Sequence, residues 1–185
     1  VVTVTDLNNC MATIPVVITE PTTALAGTAT STVDPTCNGD TDGSLTIGGS
    51  GGTAPYNYDI GSGGQFNGTF TGLSGGMYTV TVTDGNGCMT TTAATLTNPS
   101  LISSNVLISS NYNGADISCN GASDGEATAA ASGGTGALTY AWSNGQTGLV
   151  ASNLSATAYT VTITDANGCT TNAAVVVSEP SALTG

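Results

Sequence analysis

Five cysteines and twelve carboxylates hold most of the chemistry open to this chain, because its 185 residues include no Lys, no Arg and no His. The formal charge is −12. Without imidazole or amine, the usual general bases, Schiff-base formers and oxyanion clamps are missing. With no cation to neutralise phosphate, binding to nucleic acid through its backbone is excluded, and so is a polybasic hold on anionic lipid. Isopeptide cross-linking fails for want of Lys, and trypsin finds no cleavage site. The inventory argues against an enzyme.

The cysteines recur by position. Cys37 and Cys88 lie 51 residues apart, and Cys119 and Cys169 lie 50 apart. This spacing predicts two disulfides, Cys37–Cys88 and Cys119–Cys169, with Cys10 bonded to a partner outside the chain. Closing a loop of about 50 residues would stabilise a small domain by roughly 3–4 kcal/mol, and disulfides imply an oxidising compartment. Metal ligation by Cys is the weaker alternative, since no CxxC spacing or His accompanies these residues.

The acids fall mostly in turns. Asp84-Gly85-Asn86-Gly87, Asp165-Ala166-Asn167-Gly168 and Asp40-Thr41-Asp42-Gly43 resemble the opening of a calcium loop, where oxygen ligands alternate along irregular backbone. No Glu follows at the twelfth position, and Ala122 replaces Asp40 in the second copy of that loop. A turn carboxylate accepting nearby backbone N–H groups is the stronger reading. Calcium at Asp40, Asp42, Asp84 and Asp165 stays open, because no basic side chain pairs with any of them. Two carboxylates could hydrolyse a glycoside, but no pocket-forming insert appears. Tyr78 and Tyr159 read as tyrosine corners, with sugar stacking as the rival. Trp142 stands where the first copy has Ile60, which suits a core or sheet-face position ahead of a sugar platform.

The elements that position these residues follow from repetition. Tyr78-Thr79-Val80-Thr81-Val82-Thr83-Asp84-Gly85-Asn86-Gly87-Cys88 returns 81 residues later as Tyr159 to Cys169, and a third version opens the chain at Val2 to Cys10. Cys37-Asn38-Gly39 with Asp42-Gly43 returns as Cys119-Asn120-Gly121 with Asp124-Gly125. Pro21, Pro99 and Pro180 close the units, at places where a residue that cannot donate to a ladder suits a junction. The expected domains are 22–99 and 100–180, preceded by the last two strands of a further unit in 1–21. Residues 181–185 read as the opening strand of another unit, so the stretch reads as a window on a longer array.

Hydrophobic residues make up 39% of the chain against 6% charged, too many for a disordered tract. They alternate with Thr in strand fashion. Gly43–Ile47, Pro55–Ile60, Tyr78–Asp84, Met89–Thr97 and Ala173–Ser178 are expected strands, and the Asp-x-Asn-Gly segments are hairpin turns. Short strands between Gly, Asn and Asp turns predict an all-β fold of tandem immunoglobulin-like sandwiches. No run of about 18 apolar residues occurs, and no basic segment precedes an apolar one, so any signal peptide is expected outside this stretch.

The motif set resembles the SprB-type repeat. The residues carrying it are Cys37, Asn38, Gly39, Asp42, Gly43, Gly51, Gly52, Tyr58, Leu73, Tyr78, Asp84, Asn86 and Cys88. Their counterparts include Cys119, Gly121, Asp124, Gly133, Tyr140, Trp142, Leu154, Tyr159, Asp165 and Cys169. That family builds very large cell-surface adhesins of gliding Bacteroidota. The resemblance implies export by the type IX route, an extracellular location on the cell surface, and a non-enzymatic segment of a filament or adhesin stalk. The expected partners are neighbouring repeats or copies of the same protein, with surface polysaccharide as a further candidate; nucleic acid and direct membrane insertion are not expected. Two other readings remain: a subunit that polymerises by donating strands from residues 1–21, and a glycan-binding repeat. No catalytic residue and no cofactor beyond calcium is expected.

Overall fold

The computed structural model describes all 185 residues, and every regular element is a strand. The opening residues form β1 (Val2–Thr5) and β2 (Met11–Ile14), an antiparallel pair with Val2 opposite Ile14 and Thr5 opposite Met11. The apolar side chains of this hairpin are exposed. Six strands then make the first six-stranded repeat: β3 (Ala26–Val33), β4 (Gly43–Ser50), β5 (Asn57–Asp59), β6 (Thr69–Leu73), β7 (Gly76–Thr83) and β8 (Met89–Leu96). Six more make the second: β9 (Ser103–Ile108), β10 (Gly125–Ser132), β11 (Thr139–Trp142), β12 (Val150–Leu154), β13 (Ala158–Thr164) and β14 (Thr170–Val176).

Each repeat is two three-stranded sheets. The first has β3-β4-β6 and β5-β7-β8, and the second has β9-β10-β12 and β11-β13-β14. The order is the same in both, which makes the tandem, immunoglobulin-like architecture a property of the repeated sequence. No sheet closes into a barrel, and no helix is present that is long and apolar enough to cross a membrane.

Alternation places the core. Successive side chains on a strand point to opposite faces, so Val80 and Val82 of β7, and Val161 and Ile163 of β13, are fully buried while the Thr residues between them are not. In the second repeat Ala127 and Ala129 of β10 and Leu154 of β12 meet Trp142 of β11, Val161 and Ile163 in one cluster, which draws on both sheets. β13 pairs with β11 and β14 in unbroken antiparallel register, Trp142 opposite Val161 and Ile163 opposite Thr171. Burying such a cluster is the main stabilising contribution, at about 25 cal/mol per Å² of apolar surface.

The expected strands appear with small shifts at their ends. Residues 181–185 differ: they take no strand pairing. An extended segment needs a partner ladder before its backbone groups are satisfied as a strand, and none lies beside it. By contacts the chain divides into two compact units. One is Val1–Thr30 with Thr46–Gly68 and Thr79–Ala94; the other is Ser31–Leu45 with Thr69–Tyr78 and Thr95–Gly185. The second unit therefore joins one end of the first repeat to the whole of the second.

Candidate functional site at the repeat junction

Within that second unit, two motifs from different repeats come together. The loop Pro35-Thr36-Cys37-Asn38-Gly39 follows β3, and Asp165-Ala166-Asn167-Gly168-Cys169 turns from β13 into β14. Cys37 and Cys169 are disulfide-bonded across a sequence separation of 132, with Cα atoms 5.6 Å apart.

The turn is built first. Asp165 is only 6% exposed, and the chain has no basic side chain to neutralise it. Backbone donors do so instead. Thr135 N–H donates to Oδ2 at 2.8 Å, and Asn167 and Cys169 N–H donate to Oδ1 at 2.9 Å each. Those bonds, led by that from Thr135, hold the carboxyl below its ordinary value. The Gly-Gly-Thr corner exists for this contact. Gly133 has φ +83°, and a Cβ there would lie 2.1 Å from the Leu101 carbonyl oxygen, so only glycine lets the corner fold against the incoming chain. Gly134 N–H in turn donates to Ser100 O. The first repeat has the same buckle, with Asp84 accepting from Thr53, Asn86 and Cys88 N–H, each at 2.9 Å. Asp6 does likewise for Asn8 and Cys10 in the opening hairpin.

The loop is fastened from its own repeat. Thr36 donates its N–H and hydroxyl to the Asp42 carboxylate, and those bonds lower the Asp42 pKa. Asn38 Nδ2 donates to Pro99 O at 2.7 Å, and Thr97 N–H to Asp34 Oδ1 at 2.7 Å. Three of these four bonds recur in the second repeat: Ser118 N–H to Asp124, Asn120 Nδ2 to Pro180 O, and Ser178 N–H to Asp116. Loop and turn then meet. Besides the disulfide, Asn167 Nδ2 donates to Thr36 O at 3.2 Å. A groove of about 480 Å³ beside them is lined by residues of both repeats, among them Asp34, Thr36, Thr135 and Asn167.

The disulfides expected inside each repeat, Cys37–Cys88 and Cys119–Cys169, are therefore corrected: Cys37 bonds Cys169, and Cys10, Cys88 and Cys119 are free and exposed. The reason is strand length. Cys169 precedes β14, and Asn120, next to Cys119, bonds Pro180 beyond its far end. The seven residues of β14 rise about 3.3 Å each, or roughly 23 Å in all. A disulfide spans Cα atoms roughly 4.4–6.8 Å apart. The same holds in the first repeat, where eight residues of β8 separate Cys88 from the Asn98–Pro99 end.

The other candidates sort by environment. Asp42, Asp84 and Asp165 spend their oxygens on protein donors, and no group of three or more Cys, Asp and Glu side chains converges anywhere. Asp40 N–H closes the loop onto Cys37 O. Trp142 is a core residue, 4% exposed, with Nε1 donating to Gly148 O at 3.0 Å. Tyr78 donates its hydroxyl to Ser74 O, four residues upstream, at 2.9 Å, as a tyrosine corner does. The Tyr159 hydroxyl accepts from Ser155 N–H. Sequence reasoning passed over Thr36, Asp34 and Asp116, and named Asn38 and Asn167 only as parts of recurring motifs. Their signal was present: the Asp–loop–Cys-Asn-Gly spacing and the Asn before each turn Gly recur unchanged.

The SprB repeat family model matches the chain twice, over residues 29–65 and 111–147. Each match contains the Cys-Asn-Gly loop and the Gly-Gly-Thr corner, and the Asp-x-Asn-Gly-Cys turns lie outside both. No curated protein matches the chain.

Proposed function

We propose that this chain, built of SprB repeats, is a load-bearing segment of an extracellular repeat array on a bacterial cell surface, a stalk or filament serving adhesion or gliding. The SprB repeat is a structural repeat and not an enzyme domain, and SprB repeats occur in cell-surface proteins. The observation that supports a mechanical role is the Cys37–Cys169 bond. It fastens the loop of one repeat to the turn of the next, so tension entering at Cys37 leaves at Cys169 through a covalent link. The residues between them are then off the load path, and no non-covalent contact among them has to resist the pull. An array whose acids lack internal counter-ions also repels its neighbours at low salt, which suits display of separate stalks.

The type IX export route and a gliding role are part of this proposal. The test is immunolabelling of intact cells with an antibody to the folded chain, followed by external protease. Surface label removed by an acid-site or nonspecific protease supports the reading, and label seen only after permeabilisation overturns it.

A further inference from the structure

We propose that Cys119 and Cys88 are the two halves of further junctions of the Cys37–Cys169 kind. The Cys119 loop takes the Asp-x-Asn-x-Cys turn of another SprB repeat, and the Cys88 turn takes the Cys-Asn-Gly loop of another. The occupant in each case is a repeat of this type. This deepens the stalk reading and rests on it, since it names what joins one repeat to the next.

The internal junction is the template. The backbone and Asn bonds that shape the Cys37 loop recur at the Cys119 loop: Thr36 N–H to Asp42 becomes Ser118 N–H to Asp124, Asn38 to Pro99 O becomes Asn120 to Pro180 O, and Gly39 N–H to Asn98 Oδ1 becomes Gly121 N–H to Glu179 Oε2. The Cys119 loop is thus folded in the bonded form, with its thiol exposed. Beside it lies a groove of about 440 Å³ lined by Ser118, Cys119, Asn120 and Pro180 to Leu183. The matching groove at the internal junction holds Cys37, Asn38, Ser100 to Ile102 and Cys169. At the internal junction Cys169, Thr170 and Thr171 of the docked turn complete the lining.

The Cys88 side shows the complementary half. Its groove, about 420 Å³, is lined by Glu20 to Leu25, Gly52, Asp84 and Cys88, the counterparts of the surface that receives the Cys37 loop. One side chain records the difference between an occupied and an open turn. Asn167 sends its amide outward to Thr36 O in the incoming loop. Asn86, at the same place in an open turn, donates inward to Thr53 Oγ1 at 3.0 Å. Cys10 sits in a third such turn, where Asp6 accepts from Asn8 and Cys10 N–H.

The covalent step balances as thiol–disulfide exchange. The Cys119 thiol and a turn thiol together give up two protons and two electrons to a disulfide-bearing oxidant. One S–S bond forms between the repeats, and the oxidant leaves as two thiols. The established pair shows that loop and turn reach bonding distance when docked.

The test is a disulfide map of the native protein taken from the cell surface. Free thiols are alkylated first, and digestion is at low pH with pepsin, because trypsin has no site. The expected result is Cys119 linked to a peptide carrying an Asp-x-Asn-x-Cys turn, and Cys88 linked to one carrying Cys-Asn-Gly. Cys119–Cys169 or Cys37–Cys88 within a repeat, like-to-like links, or alkylated Cys88 and Cys119 would overturn it. A stalk with free thiols would still label at the surface, so this outcome and the surface test fail separately.

Discussion

Asn167 donates its side-chain amide to the carbonyl of Thr36, 131 residues earlier in the chain, at 3.2 Å. That single hydrogen bond, beside the Cys37–Cys169 disulfide, is where the turn of one repeat reads the loop of the one before it. It shows that the junction is docked by polar contacts as well as by the covalent link.

Removing the link should leave the docking weakened rather than absent. In the freshly folded 185-residue chain, alkylation is expected at three cysteines, Cys10, Cys88 and Cys119, and at Cys169 as a fourth in Cys37→Ser. On the chain-entropy account, a bond closing a loop of this size contributes about 4–5 kcal/mol to stability. Denaturant unfolding with and without reductant measures the loss. Equal midpoints would show that the bond does not constrain the unfolded chain.

Pulling on the two ends distinguishes a shunted from an unshunted path. The disulfide takes the chain between Cys37 and Cys169, a sequence separation of 132, off the load path, which at roughly 3.4 Å per extended residue hides ~450 Å of chain. Single-molecule extension in reductant should release that extra length, and Cys169→Ser should release it without reductant. An unchanged total length under both conditions would mean the bond carries no load.

Acid should destabilise the protein through its turn carboxylates. Asp42, Asp84, Asp116, Asp124 and Asp165 are all held below the ordinary value of 3.8 by hydrogen bonds. A carboxyl with a lowered folded pKa contributes stability that is fully present above its unfolded value and lost as pH falls through the lowered one. The melting temperature is expected to hold from neutrality to about pH 4 and then fall. Relief of repulsion among the acids works the other way, but at 0.15 M salt it is screened beyond about 8 Å, so the hydrogen bonds decide the sign. Asp165→Asn should melt lower at pH 7 and show a shallower acid slope.

Trp142 tests core against sugar platform. Trp142→Phe keeps the ring but leaves Gly148 O without its donor, a cost of about 1–2 kcal/mol. Trp142→Ala opens a cavity and should cost about 3–5 kcal/mol. Neither is expected to change glycan-array binding, and a selective loss of binding in the folded Phe variant would return Trp142 to the surface role.

Two glycines with similar φ should answer differently to a methyl group. Gly121 has φ +80° with nothing within 4 Å of a Cβ, so Gly121→Ala carries only the left-handed penalty of about 1–2 kcal/mol. Gly133→Ala places that carbon against the Leu101 carbonyl and requires the backbone to move, so its loss should be clearly larger. Thermal melts of the two variants side by side decide it.

Much of this protein was legible along the chain. Alternating Val and Thr fixed which faces of β7 and β13 are buried, because side chains on a pleated strand point to alternate sides whatever the partner. The recurring Asp-x-Asn-Gly turns announced their own hydrogen bonds, since an Asp two and four residues before a backbone N–H reaches it locally. The doubled motifs gave the tandem sandwiches and the SprB resemblance. Which cysteine meets which was not local. A spacing of 50 residues suited a bond inside each repeat, yet Cys119 and Cys169 flank the two ends of β14, and a seven-residue strand cannot be shortened. Only the docking of one repeat's loop on the next repeat's turn brings Cys37 to Cys169, because the pairing depends on which ends of two rigid sandwiches meet.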